Sequence, residues 1–361
     1  MIKAHNTQRK WEEVKDFIVD GLESIHASEK IFNAKFTQQV EQKLKTASGR
    51  KYALTCASGS HAITMSLRAN NINPGDNVII PNYSCPATLS SVMVMGAIPV
   101  FCEIDEHGMM SMEHLPNCMN DKVKAVLATG LYGDVHDHQT IKDFCSTNNL
   151  HYINDAAQSQ FAKYKGVESL SLGDVVCMSF ADNKVIPTAG TYGAMLTDSE
   201  DLYNKLRALR KNGKPTRLEP YSTAGYSSQP EEEKAVQILA SWQHLYKWQT
   251  RKQEISRYYF ENLKNKITIR PSPLYSGWNA HKFAIMVDDK FSAHKKMLEA
   301  GVETEQHYAD NFASLSWTPK TDKKFPMTDK FVKQSLTIPN NPFMTDAEVE
   351  VVTKKVIDIL A

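Results

Sequence analysis

The stretch Ser179-Phe180-Ala181-Asp182-Asn183-Lys184-Val185-Ile186-Pro187-Thr188-Ala189-Gly190-Thr191-Tyr192-Gly193 holds a single lysine between two apolar runs, residues 175–178 and 194–196. Short apolar runs bounded by turn residues read as buried strands, so Lys184 is predicted in the connection between two core strands. A lysine kept away from water loses part of its preference for the ammonium form, and a neutral amine can form a Schiff base with an aldehyde cofactor. A loop lysine is more commonly a solvated charge, so the chain upstream has to decide between the two.

Upstream the pattern alternates. Residues 78–81, 99–104, 123–128 and 152–155 read as core strands, and residues 88–95 and 139–147 between them read as helices. Alternation of this kind implies a mostly parallel sheet covered by helices on both faces. Ligands of such sheets collect beyond the carboxyl ends of the strands. Asp155, followed by Ala156-Ala157-Gln158-Ser159, is predicted at such an end. A carboxylate leaving a buried strand needs a partner: a pyridinium N–H suits it, and an arginine or a helix cap would serve as well. Nearer the N-terminus a short strand over 52–56 is followed by Ala57-Ser58-Gly59-Ser60 and a helix over 61–68. Free N–H groups and hydroxyls at a helix N-terminus seat a phosphate, although an ordinary capped helix has the same pattern.

Outside this region, Trp11, Val14, Phe17, Ile18 and Leu22 lie at helical spacing, and so do Phe32, Phe36, Val40 and Leu44 within 31–44. Residues 211–234, with Gly213, Pro215, Gly225 and Pro230, read as an extended loop. Residues 235–262 read as one helix or two, with Ile238, Leu245, Trp248 and Tyr258 as core candidates. The remainder reads as strand 283–287, helix 294–300, strand 336–339 and helix 346–360, a smaller α+β unit. His136-Asp137-His138 reads as a loop, because three adjacent polar residues do not face one point as metal ligands must.

A chain of 361 residues is long enough for a large domain and a smaller one. The 42 basic residues nearly balance the 41 acidic ones and form no block, which argues against a nucleic-acid partner. The six cysteines form no Cys-x-x-Cys pair and read as reduced core thiols, as in a cytoplasmic protein. No apolar signal core opens the sequence and no segment reaches the length needed to span a membrane, so no membrane association is expected.

Taken in order, Ser58-Gly59-Ser60, Asp155, Ser179 and Lys184 resemble the DegT/DnrJ/EryC1/StrS family of sugar aminotransferases, which use pyridoxal 5'-phosphate. The resemblance also rests on Asn73-Pro74-Gly75-Asp76-Asn77-Val78-Ile79-Ile80-Pro81, Gly96-Ala97-Ile98-Pro99-Val100-Phe101, Leu131-Tyr132-Gly133, Asp155-Ala156-Ala157-Gln158, Gly225-Tyr226, His307-Tyr308 and Leu336-Thr337-Ile338-Pro339. It implies an α/β protein of the fold type I pyridoxal-phosphate transferases. A large, mostly parallel seven-stranded sheet domain (residues 1–245, with the N-terminal helices) would precede a small C-terminal α+β domain (246–361). Lys184 would hold the cofactor as an internal aldimine and then shuttle a proton, while Asp155 would keep the ring nitrogen protonated. Ser58, Gly59, Ser60 and Ser179 would bind the phosphate, Gln158 would lie near the ring hydroxyl, and Cys85 would stand over the ring.

The sequence departs from the family pattern at several of these places. An aromatic residue is usual at Cys85, so stacking is expected to be thinner or supplied by Tyr83. Ser227 stands where an asparagine reaches the phosphate of the neighbouring subunit, Gln229 stands where an arginine is usual, and Thr191-Tyr192-Gly193 replaces an acidic-Gly-Gly stretch. Related dehydratases carry histidine in place of the lysine and are disfavoured by Lys184. The expected activity is transfer of an amino group from an amino acid, L-glutamate, to a keto group of a nucleotide-linked sugar by a homodimer. The spacing from Lys184 to Gly193 favours C3 over C4 of the sugar. The alternatives are a pyridoxal-phosphate-binding sensor or regulatory protein, and an aminotransferase acting on an aminocyclitol ketone.

Overall fold

The computed structural model describes residues 1–28, 34–216, 218–270 and 277–361. Ile31 and Phe32, assigned above to the second helix, lie outside the described residues. Two helices open the chain, α1 (Thr7–His26) and α2 (Lys35–Ser48). A large sheet then forms from β1 (Tyr52–Cys56), β2 (Asn77–Pro81), β3 (Ile98–Cys102), β4 (Val123–Thr129) and β5 (His151–Asp155), with α3 (Gly59–Ala69), α4 (Pro86–Met93) and α5 (His138–Thr147) among the crossovers. A short hairpin, β6 (Lys163–Tyr164) and β7 (Val167–Glu168), precedes β8 (Val175–Ser179) and β9 (Gly193–Thr197). The seven strands lie in the order β1-β9-β8-β5-β4-β2-β3, and β9 alone runs against its neighbours.

The period of two in β8 shows why both faces are covered. Val175 and Cys177 join the core beneath α3, whereas Val176 and Met178 join a second core with Val40, Leu44 and Ile238. A strand buried on both sides has no polar face, which is why these segments read as unbroken apolar runs.

The antiparallel direction of β9 positions the site. Its first residue, Gly193, pairs with Cys56 at the end of β1 and with Ser179 at the end of β8. Three chain segments therefore meet at one sheet edge, and Asp155 ends β5 beside them, paired with Cys177. The turn after β1, the strand-end carboxylate and the loop carrying Lys184 are thus neighbours by register.

After α6 (Glu200–Arg210), the chain passes to α7 (Glu232–Gln243) and α8 (Leu245–Leu263), so residues 235–262 form two helices that meet at His244. A three-stranded antiparallel sheet follows, with β10 (Thr268–Ile269), β11 (Phe283–Met286) and β12 (Ser335–Ile338) in the order β10-β11-β12. It is flanked by α9 (Lys290–Glu299), α10 (Pro326–Gln334) and α11 (Asp346–Leu360). The N-terminus packs onto this part, with Ile2 bridging to Val302. Tyr258, expected in the core, is 39% exposed; the helix turns Tyr259 inward instead, and its hydroxyl donates to the carbonyl of Pro339 at 2.8 Å. Trp11 and Phe17 are also outward-facing, because the buried stripe of α1 runs through Val14, Ile18, Gly21 and Ile25. No helix among the described residues is long and apolar enough to cross a membrane.

Candidate active site

The site starts at the turn between β1 and α3. Ser58 caps α3, its hydroxyl accepting the N–H of His61 at 3.1 Å, which leaves backbone N–H groups of the first turn directed outward. The approach of neighbouring segments is too close for side chains. A Cβ on Gly59 would stand 2.7 Å from Cβ of Ser179, and one on Gly193 would stand 2.3 Å from the carbonyl oxygen of Ser58. The turn Ser58–Gly59–Ser60, with Ser60 exposed, therefore packs against Ser179 and Gly193 and forms a cradle at the N-terminus of α3. Gly193→Ala is expected to push the turn out of place, at a cost of roughly 1–3 kcal/mol. Thermal unfolding with and without added cofactor should show both a lower midpoint and a smaller cofactor-induced rise.

Asp155 is 3% exposed and accepts two neutral donors, the N–H of Ala157 at 3.1 Å and the hydroxyl of Thr88 at 3.3 Å. Burial raises its pKa, opposed by the Ala157 N–H, the positive charge of Lys184 and the Thr88 hydroxyl. Among the described residues no cation forms an ion pair with it, so the carboxylate retains capacity for another donor. Gln158 is anchored on both sides: its Oε1 accepts from the N–H of Tyr132 at 2.9 Å, and its Nε2 donates to the hydroxyl of Tyr308.

Lys184 is half-buried in a loop held at both ends. Its N–H donates to the carbonyl of Ala181 at 2.9 Å, and the N–H of Thr188 donates to that of Phe180 at 2.8 Å. Helix α7 clamps the loop from outside: Thr188 and Ala189 both donate to Oε1 of Gln237, at 2.9 and 2.8 Å. Tyr192 is buried with its ring edge against Phe180, so the unusual residue in the Thr191-Tyr192-Gly193 stretch is a core side chain.

Cys85 caps α4 and is partly buried. Tyr83, the alternative source of stacking weighed above, is turned into the core. It is fully buried against Tyr132 and Phe331, and its hydroxyl lies 2.9 Å from that of Tyr132 and accepts the N–H of Tyr308 at 2.5 Å. The hydroxyl of Tyr308 lies within reach of Cys85. Ser227 is exposed and bridges to Lys211, and Gln229 is exposed as well, so neither is drawn into the cradle within this chain. Their neighbour Ser228 is drawn in: its carbonyl accepts the N–H of Ala57 at 3.1 Å, and its hydroxyl lies 2.8 Å from Nδ1 of His61.

The sequence matches the DegT/DnrJ/EryC1/StrS aminotransferase family over residues 12–357. The chain belongs to this family. It is 25% identical to the UDP-2-acetamido-2-deoxy-3-oxo-D-glucuronate aminotransferase of Pseudomonas aeruginosa, covering 98% of each chain. It is 28% identical to the dTDP-3-amino-3,6-dideoxy-alpha-D-galactopyranose transaminase of Aneurinibacillus thermoaerophilus, covering 88% of each. The crystal structure of a DegT DnrJ EryC1 StrS aminotransferase from Brucella abortus superimposes with a TM-score of 0.93 at 21% identity, over 99% of this chain and 98% of that one.

Aminotransferases of the DegT/DnrJ/EryC1/StrS family use pyridoxal 5'-phosphate. The geometry fits that group: N–H and hydroxyl donors at the N-terminus of α3, where segments pack so closely that Gly59 and Gly193 leave no room for a Cβ, and a buried carboxylate with a free acceptor position at the end of β5. Sequence reasoning quoted Tyr308 without placing it beside Gln158 and Cys85, and it did not single out His281 and Lys282 beside β11. His281-Lys282 directly precedes the buried strand Phe283–Met286, and a lysine at the threshold of an apolar strand was the available signal.

Proposed function

We propose that this DegT/DnrJ/EryC1/StrS family member moves an amino group from L-glutamate to the 3-keto group of a nucleotide-linked sugar. The carrying observation is that Asp155, Ser179, Gly193 and the Ser58–Gly59–Ser60 turn converge at one sheet edge, beside the loop of Lys184. Bound pyridoxal phosphate supplies an aldehyde that condenses with amines and a ring that accepts the electrons released when a C–H bond breaks. Lys184 is the amine that tethers it and, once released, carries a proton on Nζ to and from the substrate carbon. Asp155 holds a proton on the ring nitrogen through a charge-assisted hydrogen bond. Ser58, Ser60 and Ser179 bind the phosphate with the N–H groups of the first turn of α3. Gln158 would lie near the ring hydroxyl, and Cys85 with Tyr308 would stand on the side of the ring.

Two considerations support C3: the spacing from Lys184 to Gly193, and the 3-oxo and 3-amino sugars named for the two relatives above. We also infer a homodimer, in which exposed Ser227 on the segment between α6 and α7 reaches the partner's cradle, and two domains, residues 1–245 and 246–361. Light scattering that shows a fully active monomer would overturn the dimer.

The test is to mix the purified holoenzyme with L-glutamate and then with matched 3-keto and 4-keto nucleotide sugars. Loss of the absorbance band of the lysine-bound cofactor, gain of the pyridoxamine band, and an amine at C3 in the product NMR spectrum are expected. A cofactor spectrum indifferent to every amino acid would favour a sensor, and amination confined to the 4-keto sugar would overturn the C3 assignment.

A further inference from the structure

A cavity beside Lys184 is enclosed by the N-terminal segment, the loop after β8, the start of α8 and the residues flanking β11 and β12. Its wall carries four lysines, Lys10, Lys184, Lys252 and Lys282, against two carboxylates, Asp182 and Glu305. Glu305 is already committed: its Oε2 accepts from Nζ of Lys282 at 2.5 Å, and its Oε1 lies 3.1 Å from Nε2 of His5. Among the described residues Lys252 forms no ion pair, and it donates to the carbonyl of His281 at 2.8 Å. Burial and the neighbouring charge of Lys282 push its pKa down to about 7, opposed by Glu305. Two polar atoms in the same wall, Nδ1 of His281 and Oδ1 of Asn340, are buried without a hydrogen-bond partner among the described residues. Buried polar atoms are nearly always bonded, so an excess of cations beside two orphaned atoms describes a site that a ligand completes.

We propose that this cavity binds a carboxylate carried by the sugar acceptor, so that the preferred substrate is a keto-uronate and Lys252 is the residue that selects it. The proposal rests on the reading of this site as one for nucleotide sugars. A carboxylate satisfies the uncompensated lysine, and a neighbouring sugar hydroxyl can donate to Oδ1 of Asn340, whose Nδ2 is used by Ser256 and Ala280, both at 3.0 Å. The distal carboxylate of an amino donor offers the same charge without the hydroxyl.

Isothermal titration of the holoenzyme with UDP-glucuronate and UDP-glucose, and with the matching dTDP pair, measures the preference without turnover. The acid is expected to bind about tenfold more tightly in at least one series. Lys252→Met should erase that ratio and Lys252→Arg should retain it. Binding of the acid at pH 7 should take up a proton, seen by comparing buffers of different ionisation enthalpy, and Lys252→Met should remove the uptake. Lys10→Met, on a partly exposed position of α1, provides a second variant should Lys252→Met fold poorly, and it too should lower the ratio. Equal binding of acid and neutral sugar in both series overturns the proposal. So does a Lys252→Met enzyme that keeps the ratio but shows a tenfold higher KM for L-glutamate, since the carboxylate then belongs to the donor. Turnover of keto sugars without acid preference would refute this inference alone. Acid preference without any amination would refute the transferase reading and leave the anion site standing.

Discussion

Lys184→Ala and Lys184→Arg are both expected to abolish covalent attachment of the cofactor and to lower turnover by on the order of 10⁴-fold. Arginine keeps the positive charge but cannot act as a neutral amine, so the two variants separate charge from nucleophilicity. The fold should survive either change, because the loop is held by its own backbone and by Gln237 rather than by the lysine side chain. The cavity makes the assignment a sharp one. Lys252 lies in the same wall with its pKa pushed down to about 7, which makes it a rival for the aldehyde on acidity alone. Geometry favours Lys184, whose charge acts on Asp155 and whose loop springs from the strand ending at Ser179. Borohydride reduction of the wild-type holoenzyme followed by peptide mapping decides between them. A pyridoxyl label on Lys252, Lys282 or Lys10 would falsify the assignment.

Asp155→Asn is expected to fold and bind cofactor but to slow the half-reaction with L-glutamate by on the order of 10²–10³-fold. An amide oxygen can still accept the N–H of Ala157, and the amide nitrogen can donate to the hydroxyl of Thr88, so the local bonds that Asp155 makes in this chain are replaceable. What is lost is the negative charge that favours a proton on the ring nitrogen. Rapid-mixing kinetics should therefore show a slower change of the cofactor spectrum with little change in thermal midpoint. An unchanged rate would remove Asp155 from the mechanism, and a protein that no longer folds would make it a structural residue.

Much of this architecture was legible in the chain because it depends on local chemistry. Residues 175–178 and 194–196 are apolar on both faces, and only a strand buried between helix layers can use such a pattern, so the large sheet and the loop of Lys184 follow from sequence. Gly59 and Gly193 were read as parts of motifs, and contact distances give them a physical role: each stands where another segment leaves no room for a Cβ. Tyr258 and Tyr259 show the limit of periodic reading, since adjacent positions differ by about 100° around a helix and two aromatic residues in a row do not announce which one faces inward.

Sequence alone determined the family, the order of the site residues and the chemistry that Lys184 and Asp155 are suited to, because these reside in residue types and short-range spacing. Tertiary structure decided which distant segments share a wall. Tyr83 and Tyr308 are far apart in the chain, and only packing reveals that the first is spent on the core while the second lies by Cys85. Likewise Lys10, Lys252 and Lys282 are ordinary lysines in sequence, one on each of two helices and one beside a strand. They become an excess of positive charge only when α1, α8 and the approach to β11 close around the same cavity, where desolvation makes every uncompensated charge count.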